Sequence, residues 1–212
     1  SHFLEHMMFK GTKKRPNAKV IATELDSLGA SYNAFTGYEY TGYYVKVRNE
    51  KKEVALDIIA DIFQNSTFNQ KDILTERGAI VEEINMYKDL PMQSIFYTFQ
   101  SLLYGDTPLG RDIIGTKDHV MNFHRDDFVR YFNQKYVAGN THVVIAGDVE
   151  TGTLDKIEQR FQNVRDNTPP VAEAIQEQQT EPQVLIQSRD TGQTHLMYGF
   201  RTFDINSPER YT

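Results

Sequence analysis

Cysteine is absent from this sequence of 212 residues. A chain without cysteine has no disulfide framework, no thiolate zinc site and no cysteine nucleophile. Any metal site must therefore be built from histidine and carboxylate side chains. The absence fits a reducing compartment and a cell envelope equally well, so the sequence leaves the localisation of the protein unknown.

The sequence also lacks an excess of positive charge and lacks long apolar runs. It has 23 lysines and arginines against 29 aspartates and glutamates, a formal net charge of -6. Nucleic-acid-binding surfaces show a clustered basic excess, so we expect no nucleic-acid partner. The longest apolar stretches are as short as a strand, for example residues 143–146, and none predicts a membrane span.

A pattern that can bind a metal lies at the start of the chain, where residues 2–6 read H-x-x-E-H. On a helix, His2 and His6 lie one turn apart on the same face, so both imidazoles can point at one metal ion. Glu5 lies on nearly the same face and can reach a water on that metal. Two nitrogen ligands, an open position and a carboxylate base suit a metallohydrolase. The pattern therefore predicts an inverted-motif zinc peptidase, against the alternative of two ordinary histidines.

A catalytic zinc ion usually takes three protein ligands, so a third ligand must come from elsewhere in the chain. The best candidates lie in the acidic segment 76–84. Glu76 and Glu83 are seven positions apart and share one helix face, whereas Glu82 points about 100° away from Glu83. On spacing alone, a solvated helix surface explains these glutamates better than a ligand role does.

Several separated motifs resemble those of peptidase family M16, the family of pitrilysin and of mitochondrial processing peptidase. Residues 2–12, HFLEHMMFKGT, resemble the family's signature segment, and residues 33–36, Asn-Ala-Phe-Thr, resemble its Asn-Ala-x-Thr strand beside the active site. Residues 76–83 resemble its distal acidic segment. Residues 108–116 and 136–148 match further landmarks, so the resemblance covers nearly the whole chain.

The resemblance assigns roles to the residues of the candidate metal site. It implies that His2 and His6 are zinc ligands and that Glu5 is the general base. It makes Glu83, which lies 77 positions after His6, the third ligand. It makes Glu76 an acid behind the ligands that helps to orient them. The implied cofactor is a single zinc ion.

The resemblance also implies how substrates and partners bind. Residues Asn33, Ala34, Phe35 and Thr36 are expected to bind the substrate backbone by edge pairing, the alternative being that Asn33 and Thr36 merely end a hairpin strand. Family members pair two related halves as a clam shell, so we expect peptide substrates, a second M16 half and a dimer. The expected function is zinc-dependent hydrolysis of peptides or unfolded protein segments. The alternative is a non-catalytic M16-like scaffold or partner subunit, although such subunits typically have a damaged motif.

The order of elements predicts an α+β fold with a mixed, largely antiparallel sheet packed with helices. The apolar periodicity predicts helices at about 2–9, 18–28, 50–64, 70–88, 93–104, 126–136 and 153–163. Alternation and composition predict strands at 31–36, 38–47, 142–149, 183–188 and 194–200.

Composition and the resemblance together predict the domain boundaries. We expect a catalytic domain at residues 1–165, whose first strand precedes Ser1. Residues 166–182, which include Asp-Asn-Thr-Pro-Pro and are rich in Glu and Gln, predict an exposed linker. Residues 183–212 are expected to open a second, related domain that is cut short at Thr212.

Overall fold

The computed structural model of the chain describes residues 1–171, 174–175, 179–190 and 192–212. Eight α-helices and two strands are described, and their bounds are α1 (His2–Met8), α2 (Ala18–Ser27), β1 (Ser31–Thr36), β2 (Thr41–Lys46), α3 (Lys52–Asn65), α4 (Gln70–Asp89), α5 (Pro91–Tyr104), α6 (Lys117–Asn122), α7 (Arg125–Lys135) and α8 (Thr153–Phe161). Within the described residues, no helix combines the length and apolar composition needed to cross a bilayer.

The chain divides into two compact units. The first consists of Ser1–Glu82 with Ile113–Ala172, and the second of Glu83–Asp112 with Glu173–Thr212. The division falls inside the continuous helix α4. Residues 172, 173 and 176–178 of the predicted linker, together with residue 191, lie outside the described residues.

The two strands of the first unit form an antiparallel hairpin whose register runs from Ser31 opposite Lys46 to Thr36 opposite Thr41. The second strand begins later than predicted because residues 37–40 make the turn, where the Gly37 N–H donates to the Tyr40 carbonyl at 2.8 Å. Helices together with this antiparallel hairpin give the chain an α+β character.

Three of the predicted strands are wrong. Residues 142–149, 183–188 and 194–200 form no ladder, and β1 and β2 make up the only sheet within the described residues. Val144, Ile186 and Leu196 are accordingly 85%, 88% and 91% exposed. A strand needs a neighbouring strand to satisfy its backbone hydrogen bonds, and an apolar alternation in one segment does not supply that neighbour.

The helix that carries the H-x-x-E-H pattern is anchored by one buried face. Phe3, Leu4, Met7 and Met8 of α1 are all buried. The Phe3 ring packs edge-on against Phe128 of α7, with 4.7 Å between ring centroids. Burying such side chains contributes about 1.5–3 kcal/mol each, so tertiary packing holds a helix of only seven residues.

The turn that follows α1 requires glycine at one position. Gly11 has a φ of +147°, and an added Cβ would lie 2.8 Å from the Pro16 carbonyl oxygen. The Gly11 carbonyl accepts from the Thr67 N–H at 3.1 Å. The Thr12 hydroxyl donates to Asp61 of α3 at 2.6 Å. These contacts fix the end of α1 against the end of α3.

A buried arginine links this turn to α2 and α3. Arg15 is only 3% exposed, and its guanidinium contacts Glu24 at 2.6 Å, Asp57 at 2.7 Å and Asp61 at 2.8 Å. The hydrogen bond from Arg15 lowers the pKa of Glu24 below its ordinary value. A buried guanidinium is tolerated because its donors are paired with carboxylates.

We expect Arg15→Met to lower the free energy of unfolding by about 3–5 kcal/mol, because the substitution leaves three carboxylates without their shared cation. Urea unfolding of the complete protein, followed by circular dichroism, measures the change. Lys19→Met removes an exposed cation from α2 and serves as the control, with an expected change within about 0.5 kcal/mol. Equal unfolding midpoints for the two variants would contradict this role for Arg15.

Candidate metal centre

The face of α1 opposite its buried side chains carries His2, Glu5 and His6, all of which are half-buried. The two imidazole rings lie side by side, with 4.7 Å between their centroids and 58° between their planes. The i, i+4 spacing of the sequence therefore brings the two histidines together, and Glu5 lies on the same half-buried face of the helix.

Helix α4 carries the acidic residues that the sequence offers as a third ligand. Ile73, Ile80 and Ile84 are its buried positions, Glu76 and Glu83 are half-buried, and Glu82 is exposed. One ligand atom from each of His2, His6 and Glu83 can be chosen so that all lie within 4.8 Å of one another. Two imidazole nitrogens and one glutamate oxygen are a donor set known from catalytic zinc sites. These residues therefore fit a zinc ion.

Glu76 lies behind His6. Its Oε2 is 3.2 Å from His6 Nδ1, and its Oε1 accepts a hydrogen bond from Lys10 Nζ at 2.5 Å. An ionised carboxylate only accepts hydrogen bonds, so the proton of this contact belongs on Nδ1. That tautomer presents the lone pair of Nε2 for a metal.

The candidate base contacts the hairpin. The Thr36 hydroxyl donates to Glu5 Oε2, and the Thr41 hydroxyl donates to Thr36 at 3.4 Å. The side chain of Thr36, which the sequence predicts as a substrate contact, thus lies against Glu5. This bond fixes the orientation of the Glu5 carboxylate.

A cleft of about 360 Å³ opens beside these residues. Its lining includes Glu5, His6, Lys10, Glu76, Asn33 and Ala34. Two of the four predicted substrate-binding residues therefore face the same space as Glu5. Phe35 is not among the lining residues, since its ring lies over Gly42 and packs against Tyr40 at 5.8 Å between centroids.

Two tyrosines lie near Glu5 and stay protonated at neutral pH. Burial raises the pKa of Tyr43 well above its ordinary value, with smaller contributions from Tyr136 and from the charge of Glu5. Burial also raises the pKa of Tyr136. Their hydroxyls are 2.7 Å apart. Because neither hydroxyl ionises near neutral pH, this tyrosine pair adds no negative charge beside Glu5.

Neither the contact between Lys10 and Glu76 nor the pairing of Tyr43 with Tyr136 was predicted from the sequence. Lys10 follows His6 by four positions, which is a helical spacing, and this signal could have directed attention to it. Nothing in the local pattern links Tyr43 to Tyr136, because 93 positions separate them.

A family profile that matches the first half of the chain establishes the family to which the chain belongs. Residues 1–117 match the family profile described as "Insulinase (Peptidase family M16)". The chain belongs to peptidase family M16. Residues 122–212 match a second M16 profile, described as "Peptidase M16 inactive domain".

Relatives with zinc protease names support the M16 assignment. An uncharacterized zinc protease of Bacillus subtilis is 33% identical over 211 residues, which cover 100% of this chain and 51% of that protein. One of Rickettsia bellii is 43% identical over 161 residues, covering 76% of this chain and 39% of that protein. The chain thus spans about half the length, or less, of these two relatives.

A solved structure supports the predicted fold. A protease from Helicobacter pylori superimposes with a TM-score of 0.75 at 22% identity, covering 83% of this chain and 43% of that one. The predicted α+β fold of an M16 half is therefore confirmed.

Proposed function

We propose that this M16 chain carries the zinc site and the catalytic base of an endopeptidase that hydrolyses peptides or unfolded protein segments. The observation that carries the proposal is the cluster of His2, His6 and Glu83 within 4.8 Å, with Glu5 on the same half-buried face of α1. The zinc protease names of the relatives support it. Since the chain spans about half of the Bacillus relative, the activity is assigned to the complete protein.

In this proposal Glu5 performs the proton transfers. A zinc ion, when bound, supplies a Lewis acid that polarises the scissile carbonyl and activates water. Glu5 accepts the proton of the attacking water and passes it to the leaving amine. Because Thr36 donates to one oxygen of Glu5, the other oxygen can take up the proton. Water is the nucleophile, so no acyl-enzyme forms.

Residues 33–36 are proposed to hold the substrate as an added strand. Strand β1 pairs with β2 along one edge, and no strand in the described part of the chain pairs with its other edge. A peptide main chain can add to such an edge by β-augmentation. Asn33 and Ala34 line the cleft beside Glu5, which would bring an added peptide close to the base.

A second M16 half, from the same chain or from a partner subunit, is proposed to complete the substrate chamber, with a dimer as the expected assembly. The proposed division is a catalytic domain at 1–165, a linker at 166–182 and the start of the related domain at 183–212. The two matched family profiles divide the chain earlier, since the first ends at residue 117 and the second begins at residue 122.

A non-catalytic scaffold is the second candidate function. The observation that favours it is the match of residues 122–212 to a profile described as an inactive domain. The predicted ligands and base all lie outside that range, within residues 1–117. The intact set of these residues favours the peptidase over the scaffold.

Zinc content and peptide cleavage of the complete protein test the proposal together. We expect the complete protein to bind about one zinc ion for each three-ligand site that it carries. We also expect it to cleave unstructured peptides, with a chelator stopping the cleavage and added zinc restoring it. A protein that binds no zinc after reconstitution, or that binds zinc and cleaves no member of a diverse peptide library, would be assigned to the scaffold class.

A further inference from the structure

We propose that Lys10 is a positioning residue of the metal centre, acting on His6 through Glu76. The inference rests on the proposed zinc site and adds a residue to it that does not itself bind the metal. Lys10 lies just beyond the end of α1 at Met8. The side chain of Lys10 therefore connects the helix that carries both histidines with Glu76 on α4.

The two oxygens of Glu76 have different partners. Oε1 accepts from Lys10 Nζ at 2.5 Å, while Oε2 lies 3.2 Å from His6 Nδ1. A carboxylate with one partner can rotate about its last bond, whereas one held at both oxygens cannot rotate without breaking a contact. Lys10 thus fixes the direction in which Glu76 presents Oε2 to the imidazole of His6.

Burial strengthens the hydrogen bonds that Glu76 makes with Lys10 and with His6. The side chain of Glu76 is 12% exposed, and those of His6 and Lys10 are 25% and 28% exposed. Water competes less for charge-assisted hydrogen bonds at such positions than at the surface. The chain Lys10–Glu76–His6 is therefore expected to set both the rotation of the His6 ring and its tautomer, leaving Nε2 aimed away from Glu76.

A competing role for Lys10 follows from its place in the cleft. Because its side chain helps to line the cleft, its ammonium group could bind an acidic group of a substrate. A substrate role would change KM and leave zinc affinity unaltered. A positioning role changes zinc affinity in the absence of any substrate.

The experiment compares Lys10→Met with Lys10→Arg and Lys13→Met in the complete protein. Zinc affinity is measured by competition with a chromophoric chelator. We expect Lys10→Met to raise the zinc Kd about tenfold, the lower end of the about 10–100-fold range for partners behind metal ligands. Lys10→Arg keeps the positive charge and a hydrogen-bond donor, so its zinc Kd should be closer to that of the parent protein. Lys13→Met removes an exposed cation from the same loop and should match the parent.

A second readout needs no metal. ¹⁵N NMR of the metal-free protein reports which His6 nitrogen carries the proton, and Lys10→Met should lower the fraction with the proton on Nδ1. An unchanged zinc Kd with an unchanged tautomer would overturn the role of Lys10, as would a change in KM alone. A parent protein that binds no zinc would overturn the proposed function. The tautomer comparison would still decide whether Lys10 positions His6.

Discussion

Glu5→Gln in the complete protein is expected to abolish most of the peptidase activity while the protein keeps its zinc. General-base catalysis typically contributes about 10²–10⁴-fold to the rate, and a neutral amide cannot take up the proton of the attacking water. The zinc stays because Glu5 is not one of the three clustered donors. Elemental analysis together with kcat for a fluorogenic peptide measures both properties.

The similar size of the glutamine and glutamate side chains makes this test specific to the loss of the carboxylate. Glutamine has the size of glutamate, and its carbonyl oxygen can still accept the hydrogen bond from Thr36. Glu82→Gln makes the same chemical change at an exposed position of α4 and should leave kcat unaltered. Full activity in pure Glu5→Gln protein would remove Glu5 from the role of base and would leave the zinc site itself in place.

Glu83→Ala is expected to lose bound zinc. The substitution leaves two imidazoles where catalytic zinc usually takes three protein ligands. Removing a residue that only hydrogen-bonds to a metal ligand lowers metal affinity about 10–100-fold. Removing the ligand Glu83 itself should lower the zinc affinity by more than that. Activity should fall with the zinc, and excess zinc should restore it in part.

The neighbouring glutamate provides the control for this prediction. Glu82→Ala removes the same side chain one position earlier, where the residue is exposed and lies outside the cluster of donors. Its zinc content should equal that of the parent. If Glu83→Ala kept its zinc and Glu76→Ala lost it, the third ligand would be Glu76 and the arrangement behind His6 would need a different residue.

Short-range spacing made the first part of the site predictable. His2, Glu5 and His6 lie within one and a half turns of a helix, so their common face follows from helical geometry alone. The choice between Glu82 and Glu83 did not follow from spacing. It depends on which face α4 turns inward, and the burial of Ile80 and Ile84 determines that face.

Contacts between distant residues could not be predicted from the sequence. Lys10 meets Glu76 across 66 positions, and Thr36 meets Glu5 across 31. Such pairs depend on how helices and strands pack, for which a local pattern holds no information. The prediction of a strand at 142–149 was wrong for the same reason, since alternation in one segment does not show whether a neighbouring strand exists to pair with it.

The shortness of α1 has a thermodynamic consequence. Isolated helices below about 12–15 residues are marginal in water, so the unfolded chain does not hold His2 and His6 at chelating distance. Zinc should therefore bind the folded state in strong preference to the unfolded one. By mass action, free zinc at a hundred times its Kd would add about 2.7 kcal/mol to the free energy of unfolding. The supply of zinc in the cell would then set how often the folded state opens, and with it how fast cellular proteases degrade the protein.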